Sequence, residues 1–315
     1  MAQSVLNAPH FQNEEAAFAY VESHLWPHGP TCPHCGNADT ARIGRLEGKT
    51  TRAGLRKCYE CRKPFTVRQG TIFESSHLPL HLWLQVIHLM NASKKGISTR
   101  QVQRMLQCSM KTAWHLTHRI REIMKDSDEP MGGSGEPVEI DETFIGGKAK
   151  NRHLGERGQG RGYDVAKAPV FALVERNGKA RAFHVPNVTG ANLREVVQKH
   201  VVPDSTVFSD ESHTTRQAAR GYFRDSVNHG DGEYVRGIVH TNTVEGFFAI
   251  LKRGIMGVYH GVSEAHLQRY LTEFGHRYSH REALGVDDAA RASIALKGAK
   301  GRRLTYETTR SARSA

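Results

Sequence analysis

Apolar positions follow two different periods along this 315-residue chain, and the change between them marks its organisation. Over residues 79–90, Leu82, Trp83, Val86, Ile87 and Met90 recur at three- and four-residue steps, which puts one apolar face on a helix. Gly96 breaks that pattern and two shorter helices are expected after it. Ser98 can cap the first, through Val102, Met105 and Leu106; Ser109 can cap the second, through Met110, Ala113, Trp114, Thr117, Ile120 and Met124. Residues 14–26 read as a further short helix. Past Pro137 the period falls toward two: residues 138–145 predict a strand, and 170–175 and 180–185, joined through Asn177-Gly178, predict a hairpin. Residues 189–201 then read as a helix and 205–208 as a short strand. An amphipathic helix is expected over 242–253, with Val244, Phe247, Phe248, Leu251 and Ile255 on one face, and a last clear helix over 263–278.

The order of hairpin strands, helix, strand and helices predicts an α/β layered domain of the ribonuclease-H kind over 138–285. Before it, the acidic and glycine-rich DSDEPMGGSGEP reads as a linker, assigned to 127–137. The expected organisation places an N-terminal helix and a small cysteine-bearing domain at 1–75 and the three helices at 76–126. A basic, flexible tail is expected at 286–315, where seven basic residues from Arg291 onward face one acid.

Charge narrows the choice of partner. Lys and Arg number 44 against 32 Asp and Glu, a formal net charge of +12, which favours a polyanion through phosphate contacts and counterion release. Nucleic acid is the expected partner, although a ribosome-associated protein carries the same balance. Between Gly147 and Lys167, six basic residues (148, 150, 152, 157, 161, 167) outnumber two acids (156, 164), as in a DNA-facing loop or a solvated insertion. No apolar run approaches a membrane span and the N-terminus lacks signal-peptide order, so a cytoplasmic protein is expected.

Five cysteines stand at 32, 35, 58, 61 and 108. The pairs CPHC and CYEC are separated by twenty-two residues, so two knuckles of two thiolates can meet around a tetrahedral structural Zn²⁺ held by Cys32, Cys35, Cys58 and Cys61. A redox dithiol is the rival for a lone CxxC. His28 and His34 are possible substitute ligands, and Cys108 reads as a small buried side chain beside Leu106.

The three helices around 80–124 have the layout of a helix-turn-helix or of a plain three-helix bundle. In the first case the start of the last helix enters the major groove, making Lys111, Thr112 and His115 candidate DNA contacts, with Arg119 and Arg121 further along.

Three acids sit at the edges of apolar elements: Asp141 in VEIDETF, Asp210 after VFS and Glu245 in NTVEGFFAILKRG. Phosphodiester cleavage by two metal ions requires carboxylates fixed in that way on rigid elements. Structural alternatives exist for two of them. Asp210 could cap the turn that follows it, and Glu245 stands three residues after Asn242 in a capping-box-like pattern. Asp141 has the weakest structural alternative, because acids are depleted inside strands and its neighbour Glu142 would face the other way.

With these motifs, and with KKGISTRQVQRML, KTAWHLTHRIR, HTNTVEGFFAILKRGIMGVYHGVS and YLTEFGHRYSHR, the chain resembles bacterial insertion-sequence transposases of the ISXO-like group. These have an N-terminal zinc ribbon and a DDE-type domain. The resemblance implies a ribonuclease-H-like fold holding Mg²⁺ or Mn²⁺ on Asp141, Asp210 and Glu245, with Asn242 a second candidate for the third place. Thirty-four residues separate Asp210 from Glu245, close to the spacing typical of such enzymes. Lys252, two turns beyond Glu245, would steady a DNA phosphate. It further implies binding of double-stranded DNA at the terminal inverted repeats, cleavage, strand transfer to target DNA, and oligomerisation on DNA. A DNA-binding regulator or domesticated, inactive transposase is the alternative, and a structure-selective resolvase a more distant one.

Overall fold

The computed structural model describes residues 4–127, 129–133, 135–146 and 167–305. The basic segment between Gly147 and Lys167 and the end of the basic tail, 306–315, lie outside the described residues, apart from Lys167 itself. The chain forms two compact units, one drawn from Met1–Ser93, Ile97–Lys125 and Asp287–Ala315, the other from Lys94–Gly96 and Asp126–Val286.

In the first unit, α1 (Pro9–Gln12) and α2 (Glu14–Leu25) precede a small antiparallel sheet of β1 (Ile43–Arg45), β2 (Arg56–Cys58) and β3 (Pro64–Phe65). The expected helices follow as α3 (Leu80–Ala92), α4 (Thr99–Leu106) and α5 (Met110–Ile123). Their starts are set as the sequence implies: Ser98 Oγ accepts from Gln101 N at 3.2 Å and Ser109 Oγ from Thr112 N at 3.1 Å. One core joins Phe18 and Val21 of α2 to Leu80, Trp83, Ile87 and Met90 of α3 and to Val102, Leu116 and Ile120. No break at 75/76 is therefore visible in the core.

The tail expected at 286–315 is corrected in part. Asp288–Lys297 is a helix, capped by Asp287, whose Ala295 and Leu296 are buried in that same core. The basic residues that suggested a solvated tail include Arg291, whose Nη1 is held by the carbonyl of Asn91 and by Asp288 Oδ1, both at 2.7 Å. The linker is likewise partly docked within the second unit: Met131 is buried and forms a parallel bridge with Val201.

The second unit is a mixed five-stranded sheet between helices. Its elements are β4 (Val138–Ile145), β5 (Ala168–Glu175), β6 (Ala180–His184), α6 (Gly190–His200), β7 (Thr206–Ser209), α7 (His213–Ala218) and β8 (Phe223–Ser226). After them come α8 (Asn242–Gly254), a π-helical turn (Ile255–Tyr259) and α9 (Glu264–Ser279). Strand order is β6-β5-β4-β7-β8, with β4, β5 and β6 antiparallel and β4, β7 and β8 parallel. Alternation along the strands sorts the two faces. Val138, Ile140, Phe171 and Leu173 pack on α6 and α7, whereas Val170, Ala172 and Val174 pack on α8 and α9. The unit is thus a mixed α/β layer structure.

Candidate active site and zinc cluster

The four paired cysteines converge. Cys32 Sγ lies 3.7 Å from Cys61 Sγ and Cys35 Sγ 3.8 Å from Cys58 Sγ, and all four sulfurs lie within 4.8 Å of one another. Separations of this size suit thiolates on a tetrahedral ion at about 2.3 Å each. Ile43 and Phe65 of the small sheet pack beside Cys32 and Cys58, so the fold brings the knuckles together. His34 turns its Nε2 toward the Pro64 carbonyl at 3.4 Å and stands outside the cluster. Cys108 is half-buried against the helical core.

Asp141 lies close enough to Asp210 and Glu245 to feel their charge, although among the described residues only the four cysteines bring three or more ligand atoms within reach of one ion. Strand β4 runs parallel to β7 with Val138 opposite Val207 and Glu139 opposite Phe208. Continuing that register by two residues brings Asp210 alongside Asp141. Burial, and after it the negative charge of Asp210, pushes the Asp141 carboxyl up to about 7, with smaller contributions from Glu142 and Glu245. Asp141 thus senses both of the other acids proposed from the sequence. Burial and then Asp210 also raise Glu142, whose Oε2 is buried with no hydrogen-bond partner. As expected, Glu142 faces the other side of the sheet from Asp141. It shares the α6/α7 face with Ile140, and Asp210 lies near enough to the sheet edge to act on both strand neighbours.

Each acid also has local bonds. Asp141 Oδ1 accepts from Glu142 N at 2.8 Å. Asp210 Oδ1 accepts from Ser212 N at 3.2 Å and Thr215 Oγ1 at 2.9 Å, so it does steady the turn into α7, while Oδ2 takes neither bond. Glu245 is exposed in the first turn of α8, and its Oε1 accepts from Thr241 Oγ1 at 2.9 Å. The helix begins one residue earlier than a capping box on Asn242 requires: Thr241 is the cap residue and Asn242 the first helical one. Asn242 is exposed and its side chain takes no part in the hydrogen bonds around the acids. Lys252, also exposed, lies on the same helix with its Nζ 6.0 Å from the Phe248 ring centre.

On α5 the candidate DNA contacts separate. Lys111 is exposed, and Thr112 and His115 are half-buried near the start of the helix. Arg119 is corrected from a DNA contact to a core residue. It is 5% exposed, donates to the carbonyls of Ile72 and Glu74, and stacks its guanidinium 5.0 Å from the Trp83 ring. Desolvation brings its pKa down to about 10. Arg121 is buried too.

Residues 12–64 match the family described as transposase zinc-ribbon domain, and residues 133–279 match the ISXO2-like transposase domain. Together the two matches support an ISXO2-like transposase with an N-terminal zinc ribbon. A relative in Halobacterium salinarum, an uncharacterized protein in transposable element ISH50, is 28% identical over 275 residues, covering 84% of this chain and 90% of that protein. Among solved structures, a chain in a simian T-cell lymphotropic virus intasome in complex with PP2A regulatory subunit B56 gamma aligns over 61% of this chain. It matches under two thirds (65%) of its own length, at 9% identity and a TM-score of 0.28, too low to argue from. No helix among the described residues of this transposase is long and apolar enough to cross a membrane.

One residue beside these acids escaped the sequence reading. Glu139, fully buried on β4, lies two residues before Asp141 and on the same face of the strand. The signal was present in VEIDETF, since acids two apart in a strand share a side.

Proposed function

We propose that this transposase cuts and joins DNA through a divalent-metal site formed by Asp141, Asp210 and Glu245. The observation that carries this reading is the buried Asp141 carboxyl, pushed up to about 7 by desolvation and, after it, by the negative charges of Asp210, Glu142 and Glu245. Like charges so placed repel unless a cation neutralises them, which fits the donor set of a Mg²⁺ or Mn²⁺ site. The strand order, with the first strand central and antiparallel to the second, supports a ribonuclease-H-like fold with Asp141 on one of two adjacent parallel strands and Asp210 just past the end of the other.

In this reading Asp141, Asp210 and Glu245 would together hold the divalent ions. Divalent ions bound there supply the charge that activates water and steadies the leaving oxygen. Glu245 serves better than Asn242, because a carboxylate neutralises a cation and a neutral amide does not. Lys252 holds a DNA phosphate. The zinc ribbon and the unit α3, α4 and α5, working as a helix-turn-helix, bind the terminal inverted repeats of double-stranded DNA through Lys111, Thr112 and His115. Water attacks phosphorus at the transposon end, giving a 3′-hydroxyl and a 5′-phosphate. The 3′-hydroxyl then displaces a 3′-oxygen in target DNA, with two or more copies pairing the ends.

The test is a joining reaction in which pre-cut end DNA carrying a 3′-hydroxyl is incubated with protein, Mg²⁺ and target plasmid. Joined product is expected, and none with a 3′-dideoxy end. Tight end binding without joining in either Mg²⁺ or Mn²⁺ would remove the reading.

A further inference from the structure

We propose that Glu139 is a positioning residue for the acidic site, setting where Glu245 stands relative to Asp141; this rests on the metal-site reading above. Both Glu139 carboxylate oxygens are committed. Oε2 accepts from the backbone N–H groups of Thr243 at 2.8 Å and Val244 at 3.0 Å. Oε1 accepts from Thr243 Oγ1 and from Arg176 Nε, each at 2.8 Å, and His240 Nδ1 stands 3.3 Å from it. So many donors leave no lone pair directed at a cation, and Glu139 is not itself a ligand.

Its place in the fold gives it another role. The first amides of a helix have no partner within the helix and favour a negative group. The cap residue of α8, Thr241, makes no side-chain cap bond. Glu139 supplies that cap from a different element, so the strand bearing Asp141 is bonded to the first turn of the helix bearing Glu245. Arg176 widens the tie. Its Nη1 donates to the Ile238 carbonyl at 2.6 Å and its Nη2 to the His240 carbonyl at 3.2 Å, fixing the chain that enters α8. Its guanidinium also lies 5.0 Å from the ring of Phe208, two residues before Asp210. One buried ion pair thereby touches the segments that carry all three acids.

A purely structural cap and a positioning cap differ in what they do to cation affinity. Groups that orient metal ligands cost about 10- to 100-fold in affinity when removed. The experiment is Mn²⁺ titration of the full-length, zinc-loaded protein, followed by electron paramagnetic resonance of free Mn²⁺. Wild type is compared with Glu139→Ala, Glu139→Gln and Asp141→Asn. Glu139→Ala should weaken Mn²⁺ binding by about 10-fold or more, and Glu139→Gln, whose carbonyl oxygen can still cap the two amides, by less. Zinc content and end-DNA binding should not change. Unaltered Mn²⁺ affinity in both Glu139 variants, with Asp141→Asn abolishing binding, overturns the positioning role and leaves the metal site standing. Wild-type Mn²⁺ binding by Asp141→Asn overturns the metal site itself and this proposal with it. If Glu139→Ala does not fold, Glu139→Gln decides alone: affinity equal to wild type refutes the proposal.

Discussion

Replacing Asp141 with asparagine should make the metal-free protein more stable while destroying its proposed activity. The Asp141 carboxyl ionises near 7 in the folded protein instead of at its ordinary 3.8, because burial and Asp210 disfavour its charge. An acid whose folded value is raised holds its proton more tightly folded than unfolded. Stability is then lost as pH rises from about 4 to about 7, and the full penalty persists above that window. A shift of about three units at ~1.4 kcal/mol each bounds the penalty at about 4 kcal/mol, and relaxation and water penetration reduce it to ~2–4 kcal/mol. Asparagine keeps the shape and has no charge to bury. For a unit of this size the gain corresponds to a rise on the order of 5–10 °C in melting temperature at pH 8. Thermal melts without added Mg²⁺, with the zinc left in place, should show wild type and Asp141→Asn nearly equal at pH 4.5 and diverging toward pH 8. Added Mg²⁺ should raise the wild-type transition alone. If Asp141→Asn melts at or below wild type at pH 8, the carboxylate crowding inferred from the structure is wrong.

Other consequences are separable. Cys58→Ser should lower the zinc content from one ion per chain and open the segment around 32–65 to protease, because a structural zinc site contributes folding energy directly. Arg119→Ala should destabilise by about 2–3 kcal/mol in chemical denaturation, since it strands two buried carbonyls. Lys111→Ala should reduce the salt dependence of DNA binding by about one phosphate contact. Gly254→Ala should destabilise by ~1–3 kcal/mol, because its added Cβ would lie 2.2 Å from Phe274 Cζ and 2.7 Å from the Lys95 carbonyl.

Where local chemistry decides a structure, the sequence displayed it. Ser98 and Ser109 cap their helices, and Asn177, at a φ of 52°, turns the hairpin between β5 and β6. The two CxxC pairs meet because each knuckle is a local unit. What stayed hidden depends on partners distant in the chain. Helix α7 is six residues of HTTRQA, too short and too polar for periodicity to register. Strand β8, FRDS, lies at the sheet edge with Phe223 exposed, and so lacks the apolar alternation of a buried strand. The C-terminal helix was masked by its basic residues, although Ala295 and Leu296 form its buried contact. At the site, the three acids stood out as charges in apolar settings, while Glu139 could be assigned only once α8 was seen to begin against it. Arg119 misled for the opposite reason: a basic residue on a candidate recognition helix reads as a DNA contact until the carbonyls of Ile72 and Glu74 are found at its tip.

The most direct measurement is cleavage of a labelled fragment bearing the element's own end by the purified protein in Mg²⁺, compared with Asp141→Ala. Nicking at the end that needs the cation and disappears in the variant, with end binding retained, is the predicted result. Cleavage by Asp141→Ala at the wild-type rate would contradict the assignment of the acidic cluster as the place where DNA is cut.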